Sequence, residues 1–233
     1  VLDYADWQTA FVMQYSATDD FQARFQRLNE FHERVIKNFT EYLVPQIELS
    51  ASTSKEAVCV VFEKVNTGGK ALDAFELITA MYAADGHELR KDWFGTEEGE
   101  GRHGRLRAAM RLPSATEGVL SGVGNTDFLQ AISLFHTRDL REAAKAEGKT
   151  GRELPQVSAT RQVLLNLPLN AYVQYQHRVE EGFLAAARFL IQLDIYRVKD
   201  LPYQSQVVPL AAILAELGRD ADSPAAIEKI RRW

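Results

Sequence analysis

The chain contains a single cysteine, Cys59, among its 233 residues. One cysteine excludes an internal disulfide and any zinc site built from several cysteines. Long apolar runs are also missing. No stretch approaches the roughly 18 to 20 residues that cross a bilayer, and the N-terminus lacks the basic and then apolar segments of a signal peptide. We therefore expect a soluble, cytoplasmic protein that has no membrane partner.

The sequence has no excess of positive charge either. The formal net charge is −5 and the isoelectric point is about 5.6. No global positive field therefore attracts nucleic acid, and contact with DNA would require a local basic patch. The remaining composition, with 46% hydrophobic and 25% charged residues, is that of an ordinary globular protein. The length fits one large domain or two small ones.

Apolar residues at three- and four-residue steps predict amphipathic helices over most of the chain. A long helix is predicted over residues 20–37, and another from Ala171 to Leu193. The residues predicted to face inward on the second helix are Tyr175, Val179, Phe183, Ala186 and Leu190. The sequence therefore predicts a mainly α-helical fold.

The segment Tyr42–Ser50 has a different pattern. Pro45 interrupts a helix there, and Val44, Ile47 and Leu49 alternate with polar neighbours as in a short strand at a sheet edge. This is the only strand that the sequence pattern supports, and a lone strand needs partners from other sequence. We accordingly expect a multi-helical domain with one or two short strands.

Two helix patterns meet at a pair of glycines. The first should end at Asn66, because Gly68 and Gly69 can adopt positive φ, and Asp73 with Glu76 should cap the second. Amides freed by glycine beside a helix N-terminus and a lysine could bind an anion. Alternatively, the turn only joins two helices, and the local pattern leaves both interpretations open. The candidate anion-binding residues are Asn66, Thr67, Gly68, Gly69 and Lys70.

The stretch Gly95–Gly104 is polar, glycine-rich and without periodicity, which predicts a mobile loop. A basic run overlaps its end and continues beyond it, and this run could contact a phosphate backbone. Glutamates close by favour a solvated surface instead. The candidate DNA-binding residues are Arg102, Arg105, Arg107 and Arg111.

The five histidines show no metal-ligand spacing and Cys59 has no assignable histidine partner, so we predict no catalytic or metal-binding residue.

Two segments resemble a known family. VFEKVNTGGKALDAFELITA, residues 61–80, is similar to the F-x-x-(I/V)-N-x-G-G-x-x-L-x-x-x-E-L signature in the N-terminal domain of GmrSD-type restriction endonucleases. LPYQSQVVPLAAILAELG, residues 201–218, is similar to an L-P-Y-x-x-Q-x-x-P-L-A segment further along in the same proteins. The stretches Asp127–Ala131 and Glu181–Phe183 also fit, so the resemblance spans most of residues 40–218.

The resemblance implies a prokaryotic defence protein that recognises foreign or modified DNA. Many members of this family couple hydrolysis of a nucleoside triphosphate, bound with Mg, to DNA cleavage. Their N-terminal module resembles the ParB and sulfiredoxin fold and carries the motif D-G-Q-Q-R, and many end in an HNH-type nuclease. This chain contains neither D-G-Q-Q-R nor an HNH-like cluster. On the resemblance, Asn66 to Lys70 would border the nucleotide site and support it without performing chemistry.

These departures, together with a first residue that is Val1 and not Met, lead us to expect an internal fragment of such a protein, inactive by itself. Residues 1–90 would be the remainder of the ParB-like module, and residues 91–233 a helical domain. The alternative is a non-enzymatic helical module that associates with itself or with a partner subunit.

Overall fold

The computed structural model describes residues 3–44, 46, 48, 50, 53, 57, 58, 61, 73–109 and 117–232. The chain divides into two compact units, unit 1 from Val1–Ala51 and unit 2 from Ser52–Trp233. The helix that begins at Ala74 belongs to unit 2, whereas the sequence-based division at residue 90 grouped it with the N-terminal part. The predicted fold class, mainly α-helical with one or two short strands, is confirmed.

Unit 1 is a helical hairpin. Helix α1 spans Tyr4–Tyr15, and α2 spans Phe21–Phe31 before a π-helical turn at His32–Ile36 leads into α3, Lys37–Thr40. Asp3 caps α1, because its carboxylate accepts a hydrogen bond from the Ala5 amide at 3.4 Å. The long helix predicted over residues 20–37 is confirmed, and the π-helical turn is an addition that the sequence period did not show.

The strand predicted at Tyr42–Ser50 is wrong wherever the structure describes that segment. Residues 42–44, 46, 48 and 50 form no strand. A strand requires hydrogen-bonded partners, and the described residues of the chain supply none to this segment.

The strands that the described residues do form lie in the stretch predicted to be a mobile loop, so that prediction is wrong. Strand β1, Gly95–Thr96, pairs antiparallel with β2, Gly99–Glu100. Gly95 has a φ of +86°, and a Cβ atom there would come within 2.5 Å of the Gly101 nitrogen. Only glycine fits this close backbone approach, which is why a glycine-rich stretch can form a tight ladder.

Unit 2 packs its helices around one apolar core. None of the described helices combines the length and apolar character that crossing a bilayer requires. The described helices of unit 2 are α4 (Ala74–Ala84), α5 (Leu89–Phe94), α6 (Arg102–Ala108), α7 (Asn125–Ala146), α8 (Arg161–Leu165), α9 (Leu169–Ile191), α10 (Val207–Leu217) and α11 (Pro224–Arg232).

The long helix α9 lies at the centre of this core and packs against both α7 and α10. All five of its residues predicted to face inward are buried. Gly182 allows α10 to approach closely, because a Cβ atom at this position would lie 2.4 Å from the Ala211 carbonyl oxygen. The sequence period therefore identified the buried face of α9 correctly.

The predicted cap of α4 is also confirmed. The Glu76 amide donates to the Asp73 carboxylate at 2.8 Å, and the Asp73 amide donates to the Glu76 carboxylate at 3.0 Å. From this start α4 buries Phe75, Ile78 and Tyr82 in the core. The Tyr82 hydroxyl donates to the Leu167 carbonyl at 3.1 Å, so the buried phenol is satisfied.

Candidate functional site

The turn predicted to bind an anion lies outside the described residues. Asn66, Thr67, Gly68, Gly69 and Lys70 all fall between residues 61 and 73, and Arg111 lies in a second such stretch, 110–116. Anion binding by the turn, and DNA binding by Arg111, therefore stay predictions.

Arg102 is buried, with only 2% of its surface exposed. Its Nε donates to the Asp92 carboxylate at 2.9 Å, its Nη2 donates to the Gln176 side chain at 2.6 Å, and its Nη1 donates to Glu180. All three guanidinium nitrogens are thus engaged by acceptors of the protein itself. A DNA phosphate could reach Arg102 only by displacing these partners.

Arg105 is tied to the same carboxylate. Its Nε and Nη2 donate to the two Glu180 carboxylate oxygens at 2.6 Å and 3.1 Å, and its Nη1 donates to the Glu100 carbonyl at 2.8 Å. The Glu180 pair is bidentate, a geometry that fixes orientation as well as adding energy. Arg107 is exposed, as Arg105 is. Of the predicted DNA-binding arginines that are described, only Arg107 presents a guanidinium that no described group of the protein binds.

Tyr172 completes this network by donating its hydroxyl proton to the Asp92 carboxylate. Burial would raise the pKa of Asp92, but hydrogen bonds from Arg102 and Tyr172 outweigh it and lower the pKa below its usual value. Burial, followed by the charge of Asp92, raises the pKa of Tyr172. The carboxylate therefore stays ionised and the phenol stays protonated at neutral pH, and neither is poised to exchange a proton.

His87 lies beside this network. Its ring meets those of Tyr82 and Tyr172 edge-on, with centroids 6.0 Å and 5.3 Å apart. The Nε2 atom is buried and has no hydrogen-bond partner among the described residues. Among the residues described, no group of three or more histidine, cysteine, aspartate or glutamate side chains could hold a metal.

The network consists of Asp92, Arg102, Arg105, Tyr172, Gln176 and Glu180. None of these residues lines the four cavities found beside Arg138, Arg178, Leu193 and Lys229. A binding or catalytic site normally lies in a cleft that a ligand can enter. The network instead joins α5, α6 and α9 through satisfied charges. Its arrangement is that of an internal ion cluster that holds helices together.

A second cluster lies on the opposite side of α9. The guanidinium groups of Arg138 and Arg178 lie 5.2 Å and 4.9 Å from the centre of the Phe135 ring, and both arginines bind the Glu216 carboxylate. Arg178 also donates to the Ala215 carbonyl at 3.1 Å, near the C-terminus of α10. This cluster connects α7, α9 and α10.

An apolar groove of about 310 Å³ runs beside this second cluster. The groove lies along the outer face of α10, and Ile213 and Val157 at its edge remain 37% and 47% exposed. We call it the α10 groove. It is lined by Leu134, Phe135, Arg138, Val157, Pro209, Ala212, Ile213, Glu216 and Leu217.

Comparisons of the chain with protein-family models, with curated proteins and with solved structures gave no match. The similarity to GmrSD-type proteins therefore rests on the two quoted segments and the stretches between them.

The ion network was not predicted from the sequence, although the sequence contains a signal for it. Gln176 and Glu180 lie four and eight residues after Tyr172, on the buried face of α9, where a carboxylate requires a cationic partner.

Proposed function

We propose that unit 2 is a helical scaffold within a prokaryotic defence protein that resembles GmrSD-type restriction endonucleases, and that the chain alone neither hydrolyses nucleotide nor cleaves DNA. The segments that resemble this family support the proposal, because their described parts all contribute to one core. These parts are α4, the start of α7, the middle of α9, and α10. Segments far apart in the sequence thus act as one packing unit.

The contact between Gly182 and Ala211 carries this proposal. Gly182 belongs to the stretch Glu181–Phe183, and Ala211 to the segment over residues 201–218. A Cβ atom at position 182 would lie 2.4 Å from the Ala211 oxygen and 2.7 Å from the Ala215 Cβ. A glycine in one segment is therefore required by the backbone of the other, as expected if the two segments form one scaffold.

The closed ion network supports the non-catalytic part of the proposal. Asp92 and Tyr172 are held in protonation states that do not change near neutral pH, and neither residue lines the α10 groove or the cavity beside Arg178. The nucleoside triphosphate and its Mg would bind to a module that carries D-G-Q-Q-R, a motif that this sequence lacks. We assign no step of the reaction to the described residues.

The first experiment measures phosphate release from ATP and GTP with Mg²⁺, and cleavage of plain and modified DNA, by the chain as it stands. We expect neither activity, and turnover above the buffer rate would overturn the scaffold assignment.

The second experiment joins the chain to a module that carries D-G-Q-Q-R. We expect Lys70→Ala to lower nucleotide hydrolysis by this protein at least tenfold, with Arg107→Ala as the matched cation control. Equal rates would remove the turn from the site.

A second candidate function is that of a non-enzymatic interaction module, and the α10 groove favours it. Apolar grooves with exposed aliphatic edges mark contact sites for other protein segments. Binding of a fluorescent apolar dye tests whether the groove is accessible. We expect Ile213→Glu to reduce the fluorescence enhancement, whereas Val173→Glu, on an exposed face of α9, should not. Identical curves for the two variants would withdraw this candidate.

A further inference from the structure

Helix α1 has the apolar composition of a helix that is normally buried, but none of its own residues is buried. Asp6 is its only charged residue among twelve, and not one of its side chains is buried. Tyr4, Trp7, Phe11 and Tyr15 follow three- and four-residue steps along one face, and Val12 and Met13 extend the apolar surface around the helix. A helix that is apolar around most of its circumference is normally enclosed on several sides.

The rest of unit 1 covers only one side of α1. His32 stacks on Tyr4 with ring centres 5.7 Å apart, and the Arg24 guanidinium lies 4.7 Å from the centre of the Tyr15 ring. Leu28 is the single buried side chain among the described residues of unit 1. Two helices of this length do not bury enough apolar surface to be stable alone, and such small folds usually need an additional partner.

The exposed aromatic surface of the hairpin is large enough for an interface. Trp7, Phe25, Phe31 and Phe39 remain 42%, 39%, 44% and 81% exposed. With about 200 Å² for each aromatic side chain, these four leave about 400 Å² uncovered, or about 800 Å² in two copies. Met13 and Val35 are also exposed and enlarge the surface towards the roughly 1,200 Å² at which specific interfaces begin.

The charges of the hairpin suit a second copy of the same hairpin. Helix α1 has no cation, and no described residue forms an ion pair with its Asp6. In the second arm of the hairpin, Arg24 binds Asp20 and Lys37 binds Glu33, each four residues away, while no described carboxylate pairs with Arg27 or Arg34. A two-fold arrangement places the acidic helix of each copy against the basic helix of the other, because the contacts of such an interface are reciprocal.

We propose that the hairpin of residues 3–40 is a dimerisation surface, on which two copies of the chain form an antiparallel four-helix bundle. Antiparallel helices joined by short loops are the repeating element of such bundles. In the bundle, α1 is contacted by α2 of its own chain and by the partner's helices. This inference does not depend on the proposed restriction function.

The mass of the full chain, measured by light scattering and sedimentation between about 1 and 100 μM, tests the proposal over the affinity range of ordinary homodimers. We expect a dimer, and we expect Phe25→Glu and Phe31→Glu each to raise the dissociation constant at least a hundredfold. The matched control is Tyr203→Glu, which places the same charge on an exposed aromatic position of unit 2 and should leave the dimer intact.

Hydrogen exchange provides a readout that does not require any variant. Exchange of the α1 amides should slow as protein concentration rises, whereas exchange in the core of α9 should not change.

Charge reversal adds a specific test. Asp6→Arg should weaken the dimer, and mixing this variant with the double variant Arg27→Glu and Arg34→Glu should restore association. A monomer at all concentrations, or a dimer that none of the unit 1 variants weakens, would overturn the proposal.

Discussion

Both units are built from α-helices, and the two units bury very different numbers of side chains. In unit 1, Leu28 is the single buried side chain among the described residues, whereas α9 of unit 2 alone buries eleven. The apolar period of a sequence shows which face of a helix avoids water. Whether that face is covered depends on how many other helices can reach it, and two helices cannot enclose each other.

The largest expected effect comes from removing one ring from each unit. Phe183 is fully buried, and Phe183→Ala should lower the free energy of unfolding by about 3 to 5 kcal/mol, because a cavity replaces the ring. Phe39→Ala, at a position exposed in the single chain, should change it by less than about 0.5 kcal/mol at protein concentrations low enough for the chain to be monomeric. Urea unfolding measures both. Similar losses in the two variants would mean that unit 1 has a core of its own.

The ion pairs of the two units provide the next test. Glu180→Ala leaves the buried Arg102 without one of its charged partners, and we expect a loss of about 3 kcal/mol in the free energy of unfolding. Glu33→Ala removes an exposed pair with Lys37 from unit 1 and should leave the unfolding midpoint unchanged. A small effect of Glu180→Ala would show that water or another group reaches Arg102.

Acid should also affect unit 2 through Asp92. The folded state lowers the pKa of Asp92, so this carboxylate stabilises the fold above its unfolded pKa and loses that contribution as pH falls. We expect unit 2 to lose stability between about pH 5 and pH 3, and Asp92→Asn to be less stable at neutral pH with a flatter pH dependence. Thermal unfolding across this range measures the slope. Parallel curves for the two proteins would contradict the assignment.

The smallest effect is expected at the exposed end of the basic run. Arg107→Ala should not alter the free energy of unfolding, because the side chain is exposed and no described residue forms a hydrogen bond or ion pair with it. If the run binds DNA, a mobility shift at low salt should weaken severalfold in Arg107→Ala, with a salt slope lower by about one. Arg107→Lys, which keeps the charge, is the control. An unchanged shift would remove the run from any DNA interface.

Much of the helical architecture could be predicted from the sequence, because helices depend on residues three and four apart. The buried face of α9 and the Asp73–Glu76 cap follow from such local patterns. The β1–β2 pair could not be predicted in this way, since it depends on positive φ at Gly95 and a backbone approach that no period records. The alternation at Tyr42–Ser50 suggested a strand, but strand formation requires a pairing partner.

The candidate site was less predictable than the fold for a related reason. Arg102 is one of several arginines in a polar stretch, and its carboxylate Glu180 lies 78 residues further along the chain. Charge runs do not reveal whether a guanidinium faces water or the core. A carboxylate on the buried face of a predicted helix is the better signal, because such a group is stable only with a cation beside it.

The two ion clusters on α9 have a mechanical consequence. Tyr172, Gln176 and Glu180 bind groups of α5 and α6, while Arg178, on another face of the same two turns, binds the C-terminal end of α10. Rotation of α9 about its own axis by a single residue, about 100°, would separate every one of these partners at once. The contacts on both faces therefore fix the angular setting of this part of α9, and a displacement of α10 away from α9 would break the bonds of Arg178 to Ala215 and Glu216.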